Sequence, residues 1–386
     1  MTRRSLLLLA LALLAVLAVL AVAALHSGFA RQVFHEVYER VAGVELLGPA
    51  AVRIPPADSP YLRWLARARA ELPVHETWAI GNVSTVELGP WPQKGAGVTG
   101  LYLPLADDHV SDARILELPP RGATADERHL YEKGVYFLGG PGHTEFRSPG
   151  LPVRRVDWQA GSLLSIPLNV TYRHVNDGEG RVRLLEVTTF PFVLNSFASE
   201  RFVEENPFAF TDRYDGAEDY FERGEYPEPD WLTTNFVPDA RASRTSGMAI
   251  RGAGNTVMHW TMAGNSMLSL HVSEIPPRQY KKAHRHSNGS IFLLLSGRGF
   301  SLTWPAGDWG QRRRIDWQEG TLFAPPAYWY HQHLNTGPEP ARYLSINTPD
   351  LLLNLGLRFT DQVETDQPEV RALFERELGK TADERR

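Results

Sequence analysis

Cysteine is missing altogether from the 386 residues, which rules out disulfides, iron–sulfur clusters, thiolate zinc sites and a cysteine nucleophile. Any metal held by this chain must rest on nitrogen and oxygen ligands. Basic runs are nearly as scarce: Arg312-Arg313-Arg314 is the only stretch of note and the formal net charge is −5, so no nucleic-acid partner is expected. No glycine-rich phosphate loop leads into a helix pattern and no G-x-S-x-G elbow occurs, which leaves nucleotide use and serine-hydrolase chemistry without support. Apolar residues are not lacking, at 43% of the chain, enough to fill the cores of two domains.

The first apolar run is unbroken. Every residue from Leu6 to Leu25 is Leu, Ala or Val, and roughly 20 such residues at about 1.5 Å each match the ~30 Å hydrocarbon layer of a bilayer. Arg3 and Arg4 precede the run, while Arg31, Glu36, Glu39 and Arg40 come after it. The positive-inside rule therefore places the body of the protein outside the cytoplasm. The expectation is a membrane anchor or signal segment over 1–30, retained or cleaved near Ala21-Val22-Ala23. A helical linker is expected over 31–74, with helices around Phe34–Leu47 and Tyr61–Leu72, the second starting after Asp58-Ser59-Pro60.

From about His75 the chain turns to short Val/Leu/Tyr/Phe-rich runs separated by Gly, Pro and Asp, the pattern of an all-β sandwich or barrel. It also repeats itself. Arg154-Arg155-Val156-Asp157-Trp158-Gln159-Ala160-Gly161 is echoed by Arg313-Arg314-Ile315-Asp316-Trp317-Gln318-Glu319-Gly320. The register continues through Pro167/Pro326, Tyr172/His331, His174/His333 and Asn176/Asn335. Upstream, Glu117-Leu118-Pro119-Pro120-Arg121 pairs with Glu274-Ile275-Pro276-Pro277-Arg278, which lays Glu127-Arg128-His129 over His284-Arg285-His286. Self-similarity at this long spacing reports two duplicated β domains. They are expected over 75–205 and 243–355, with an acidic, aromatic linker over 206–242 and a helical tail over 356–386 whose Val370, Leu373, Phe374 and Leu378 share one side.

Histidines concentrate in the second copy. Side chains two apart on a strand share a face, so His284 with His286, and His331 with His333, can present two pairs of imidazoles to one ion. Neutral imidazoles suit zinc, copper, iron and nickel. The first copy has Glu127, His129, Tyr172 and His174 at these positions, a set that reads as a structural domain, with a mixed carboxylate–imidazole site as the alternative. Arg278, Tyr280 and Lys282 count onto the same parity as the histidines, and cations at a barrel mouth would suit a carboxylate. Trp304, Trp317, Trp329, Phe292 and Phe323 read as barrel lining or core.

His284-x-His286 followed by Gly297, then Gly320, Pro326, His331 and Asn335, resembles the two-part cupin signature G(x)5HxH(x)3–4E(x)6G and G(x)5PxG(x)2H(x)3N. Tyr328 replaces the middle glycine of the second part. With two such units the chain resembles the bicupins, specifically gentisate 1,2-dioxygenase-like members, over roughly His75 to Asp350. The resemblance implies two tandem jelly-roll β-barrels and one divalent metal, iron(II) ahead of manganese, nickel or zinc. Carried over by position, His284, His286 and His331 are the ligands; His333 stands off the usual ligand position but shares the inward parity, so it is kept as a metal candidate. Ser290 stands where the family has glutamate. It cannot be an anionic ligand, and it joins Arg278, Tyr280 and Lys282 as a substrate-facing candidate. The expected activity is a metal-dependent dioxygenase on a small aromatic or carboxylate-bearing molecule; the alternative is a membrane-tethered, non-catalytic metal- or ligand-binding accessory protein. Jelly rolls also pair through sheet faces and edges, so a homo-oligomer is a further expectation.

Overall fold

The computed structural model describes residues 58–106, 108–363 and 367–379. The Leu6–Leu25 run and the helix expected around Phe34–Leu47 lie outside the described residues. Among the described residues, no helix is long and apolar enough to cross a membrane. The chain enters through the helix Pro60–Glu71, where the Ser59 hydroxyl accepts from the Leu62 amide at 3.2 Å and Pro60 opens the first turn. That is the helix expected from Tyr61, begun one residue earlier.

Beyond this helix strands dominate, in two sets of paired sheets. The first set has a large sheet ordered 236–237, 163–166, 133–137, 182–188, 112–118, 99–103, 89–90, and a small one ordered 154–158, 142–147, 171–176. The second has a large sheet running 79–80, 322–323, 290–296, 341–347, 269–275, 256–261, 231–234, 224–228, and a small one running 313–318, 298–304, 330–335, 284–286, 360–362. The duplicated segments occupy equivalent places: Arg154–Trp158 and Arg313–Gln318 are both outer strands of the small sheets. The bridge Glu127↔Tyr172 repeats the pairing His284↔His331.

Each large sheet is buried on both faces, and this sets the architecture. Along Ser269–Ile275, Leu270 and Val272 enter a shared core with Leu101, Leu103, Ile115, Leu185 and Val187 of the first set. Ser269, His271 and Ser273 alternate onto the opposite face, into the second barrel. The barrels therefore pack large sheet against large sheet. Each also borrows an edge from beyond its own repeat: Ala79–Ile80 pairs with Leu322 and Phe323, and Phe236–Val237 with Leu163 and Leu164.

The tail departs from the helical expectation at its start. Thr360–Gln362 is a strand hydrogen-bonded along His284–His286, because that short strand otherwise presents an open edge. The helix then runs Pro368–Gly379, burying Val370 and Phe374 against Tyr280, Phe300, Leu302 and Leu334 on the outer face of the small sheet.

Candidate metal centre

His284 and His286 project from one face of a three-residue strand, and His331 stands directly opposite His284 on the neighbouring strand. The result is a tight trio, with one nitrogen of each ring within 4.8 Å of the others. Ring centroids lie 4.4 Å apart for His284–His331 and 4.9 Å for His286–His331. Each Nδ1 faces a backbone carbonyl: Lys282 at 3.0 Å from His284, Asn288 at 2.7 Å from His286, and Trp329 at 3.3 Å from His331. A carbonyl only accepts, so these contacts place the ring proton on Nδ1 and leave the Nε2 lone pair free. The Nε2 of His331 is buried with no hydrogen-bond partner. Burial, and then the neighbouring imidazoles and Arg251, hold the His284 and His331 rings well below the usual histidine pKa; burial, with a smaller push from Arg251, carries His286 down to about 4. All three are neutral at physiological pH. An uncharged nitrogen triad of this kind, one member of it buried without a partner, fits a divalent transition ion.

His333 does not join them. Its Nδ1 is 2.8 Å from the Ser301 hydroxyl, which accepts from the Trp317 indole at 2.9 Å. The first barrel contains the same unit: His174 Nδ1 lies 2.7 Å from the Thr144 hydroxyl, which accepts from Trp158 at 3.1 Å. There the neighbouring position is Tyr172, not an imidazole. The Trp–hydroxyl–His chain thus recurs with or without a histidine trio beside it, as a fastening of the small sheet. The parity that turns His333 inward was legible; its partner was not.

Three of the four substrate-facing candidates are elsewhere. Arg278 is exposed in a turn with φ of 55°, and its repeat counterpart Arg121 has φ of 54°. Tyr280 packs edge-on against Phe374 at 5.2 Å, outside the barrel. Lys282 is only partly buried, and the neighbouring Lys281 is the lysine that is 3% exposed. Counting by two from His284 failed because residues 276–283 are not a regular strand, so parity is lost across them. Ser290 does face inward: it is buried and accepts from the Asn347 amide at 3.4 Å.

The interior beside the trio is divided. Ile275, Phe292, Leu294, Trp317, Phe323 and Tyr343 fill one end. The other end is lined by His259, His271, Ser273, Ser345 and Asn347, and His259, His271 and His286 keep partial exposure although they face inward, which marks a lumen that water can reach. Arg251, from the turn 249–251, closes on this end with its guanidinium donating to Gln362 Oε1 at 3.0 Å. Burial lowers its pKa, and its positive charge is felt at His284, His286, His331 and His271. Neither Arg251 nor Lys281 is paired with a carboxylate among the described residues. Arg251 lies at the start of the second barrel with no motif around it, so its role was invisible before folding.

In the first barrel two ammonium groups fill the equivalent space. Lys133, at the position matching Ser290, lies 2.9 Å from Glu186 and 3.1 Å from Glu127, and Lys94 lies 2.7 Å from Glu127. Burial would raise the Glu127 carboxyl, but Lys133 and Lys94 hold it well below the usual range. Burial, then Lys133, pushes His129 well down.

No family model matches this chain. The 5-aminosalicylate 1,2-dioxygenase of a Comamonas species is 25% identical over 267 residues, 64% of this chain and 67% of that protein. The glucose-6-phosphate isomerase of Pyrococcus abyssi is 34% identical over 74 residues, 18% of this chain and 38% of the isomerase. Among solved structures, salicylate 1,2-dioxygenase from Pseudoaminobacter salicylatoxidans with gentisate superposes with a TM-score of 0.53 at 13% identity, over 86% of this chain and 94% of that one. Two paired-sheet barrels with histidines in the second define a double-cupin protein. In sequence and in fold the chain resembles the bicupins of the gentisate 1,2-dioxygenase type.

Proposed function

We propose that the protein is a metal-dependent dioxygenase that takes a small aromatic substrate bearing a carboxylate and a hydroxyl. The observation that carries this reading is the trio His284, His286 and His331, three neutral nitrogens with no anionic fourth ligand at Ser290. An octahedral divalent ion, iron(II) ahead of manganese, nickel or zinc, would keep up to three positions open on such a set for a bidentate substrate and dioxygen. The chain's own residues supply the rest. Arg251, uncompensated by any acid among the described residues, offers its guanidinium to a carboxylate entering the lumen. Phe292, 6.0 Å from His331 and 4.8 Å from His333, gives an aromatic ring an apolar face to lie against. The likeness to a 5-aminosalicylate dioxygenase supports the substrate class.

Protein purified without an affinity tag should carry close to one iron per chain and consume oxygen with 5-aminosalicylate, gentisate or salicylate. Stoichiometric metal with no oxygen uptake across hydroxybenzoates, catechols and small thiols would instead make the barrel a receptor. The export of the folded part is likewise a proposal, resting on the apolar Leu6–Leu25 run and its Arg3-Arg4 flank. Fractionation of the full-length chain should find it in membranes or outside the cytoplasm; recovery in the cytosolic fraction would reject that placement.

A further inference from the structure

The two barrels treat a buried lysine in opposite ways. In the first, Lys133 and Lys94 are surrounded by the carboxylates of Glu127 and Glu186, the usual means of keeping an ammonium out of water. In the second, Lys281 is 3% exposed, yet its Nζ meets only hydroxyls, Ser273 Oγ at 3.0 Å and Tyr343 Oη at 2.7 Å. The titratable and charged groups facing it are Arg251 from the 249–251 turn, His259 and His271 from the large sheet, His333 from the small sheet, and Tyr343. None is an acid. An amine so placed is stable as the free base, because two hydroxyls can serve its lone pair and its N–H groups while an ammonium would lack a counter-charge.

Its position is also specific. Tyr343, which holds the amine, packs 5.2 Å from both Phe292 and His333, and Phe292 in turn lies 6.0 Å from His331. The amine is one layer of side chains from the histidine trio. We infer that Lys281 is the proton acceptor of this site, taking the hydroxyl proton of a phenolic ligand bound at the trio through the Tyr343 hydroxyl that it meets at 2.7 Å. This rests on the reading of the trio as a centre for hydroxyl-bearing aromatic ligands. In the step the ligand O–H bond breaks and an N–H bond forms at Nζ, leaving a phenolate at the trio and an ammonium at Lys281. Tyr343 is the relay: its oxygen takes the ligand's proton as it passes its own to Nζ. No oxidant or reductant is involved. Burial and then Arg251 bring Lys281 down to about 7, so the acceptor is available above neutrality and lost as pH falls below it.

The test uses zinc-loaded, full-length protein and salicylate, whose phenol stays protonated in free solution across the working range, so no turnover intervenes. Metal content is measured first, and affinity is then followed by calorimetry from pH 7.5 to 9 for the wild type, K281M and K281R. In the wild type the proton stays within the complex and affinity should be flat with pH. In both variants about one proton must leave to solvent, so affinity should rise about tenfold per pH unit. A flat profile in K281M, or wild-type behaviour in K281R, would show that the lysine acts as filler or as a fixed charge and would overturn the inference. Failure of the metal-loaded wild type to bind salicylate at all would remove the aromatic-ligand reading, and the proton acceptor with it.

Discussion

His284→Ala is expected to abolish metal retention while leaving the first barrel folded. The ring supplies one of three nitrogens gathered within 4.8 Å, and it pairs directly with His331 across the strands. Losing one of three neutral ligands removes both a bond and the chelate arrangement. Since disturbing even the groups that orient a ligand typically costs 10–100-fold in affinity, loss of a ligand should cost on the order of 100-fold or more. Oxygen uptake should fall with it. His333→Gln is the paired control: its side chain is fastened to Ser301, so the metal should stay at wild-type stoichiometry, with a modest loss of stability. Metal analysis after dialysis against a weak chelator separates the two. Full metal in the His284 variant, or an empty His333 variant with an intact fold, would reverse the assignments.

The second large effect belongs to the first barrel, where Lys133→Met should destabilise the protein by roughly 3–5 kcal/mol at neutral pH, the usual cost of stranding a buried charge. The Lys133 and Glu186 side chains are both fully buried. Removing the ammonium leaves Glu186 and part of Glu127 without their main counter-charge, although Lys94 still reaches Glu127 at 2.7 Å. The pH dependence has a definite sign. Burial opposes ionisation of both carboxyls, but Lys133 and Lys94 hold Glu127 well below, and Glu186 below, the usual value. Their contribution is thus present in full above the unfolded-chain value of about 4.3 and is lost as pH falls through the depressed folded values. The gap between wild type and Lys133→Met, measured by urea unfolding, should be widest near pH 7 and narrow below about pH 4. Adding Glu186→Gln to the variant should recover part of the loss. A gap under about 1 kcal/mol at pH 7 would mean that Lys94, together with Arg114, whose positive charge also favours the Glu186 carboxylate, suffices to neutralise the interior.

These expectations differ in how far they could be drawn before folding. The two histidine pairs follow from strand periodicity, and the direct contact of His284 with His331 follows from the repeat once both segments are taken as strands of one small sheet. The separation of His333 was half visible: His174 and Trp158 stand at matching positions of the first copy, but only the Thr144 and Ser301 hydroxyls joining each pair explain why the ring is held back. Alternation counted from His284 points to Lys282, but across 276–283 the backbone turns and alternation has no meaning. Lys133 carries no signal in the sequence, because nothing local to a lysine tells whether it will meet acids or water.

What the sequence determined alone was the duplication, the β character of both copies, and two histidine pairs able to share a face, since each depends on spacing along one chain. Tertiary structure decided which three imidazoles converge, that Arg251 and Lys281 stand near them without an acid, and that ammonium groups fill the equivalent space of the other barrel. Those outcomes depend on side chains far apart in sequence meeting in a buried volume, where the energy of a charge is set by its neighbours and by the exclusion of water.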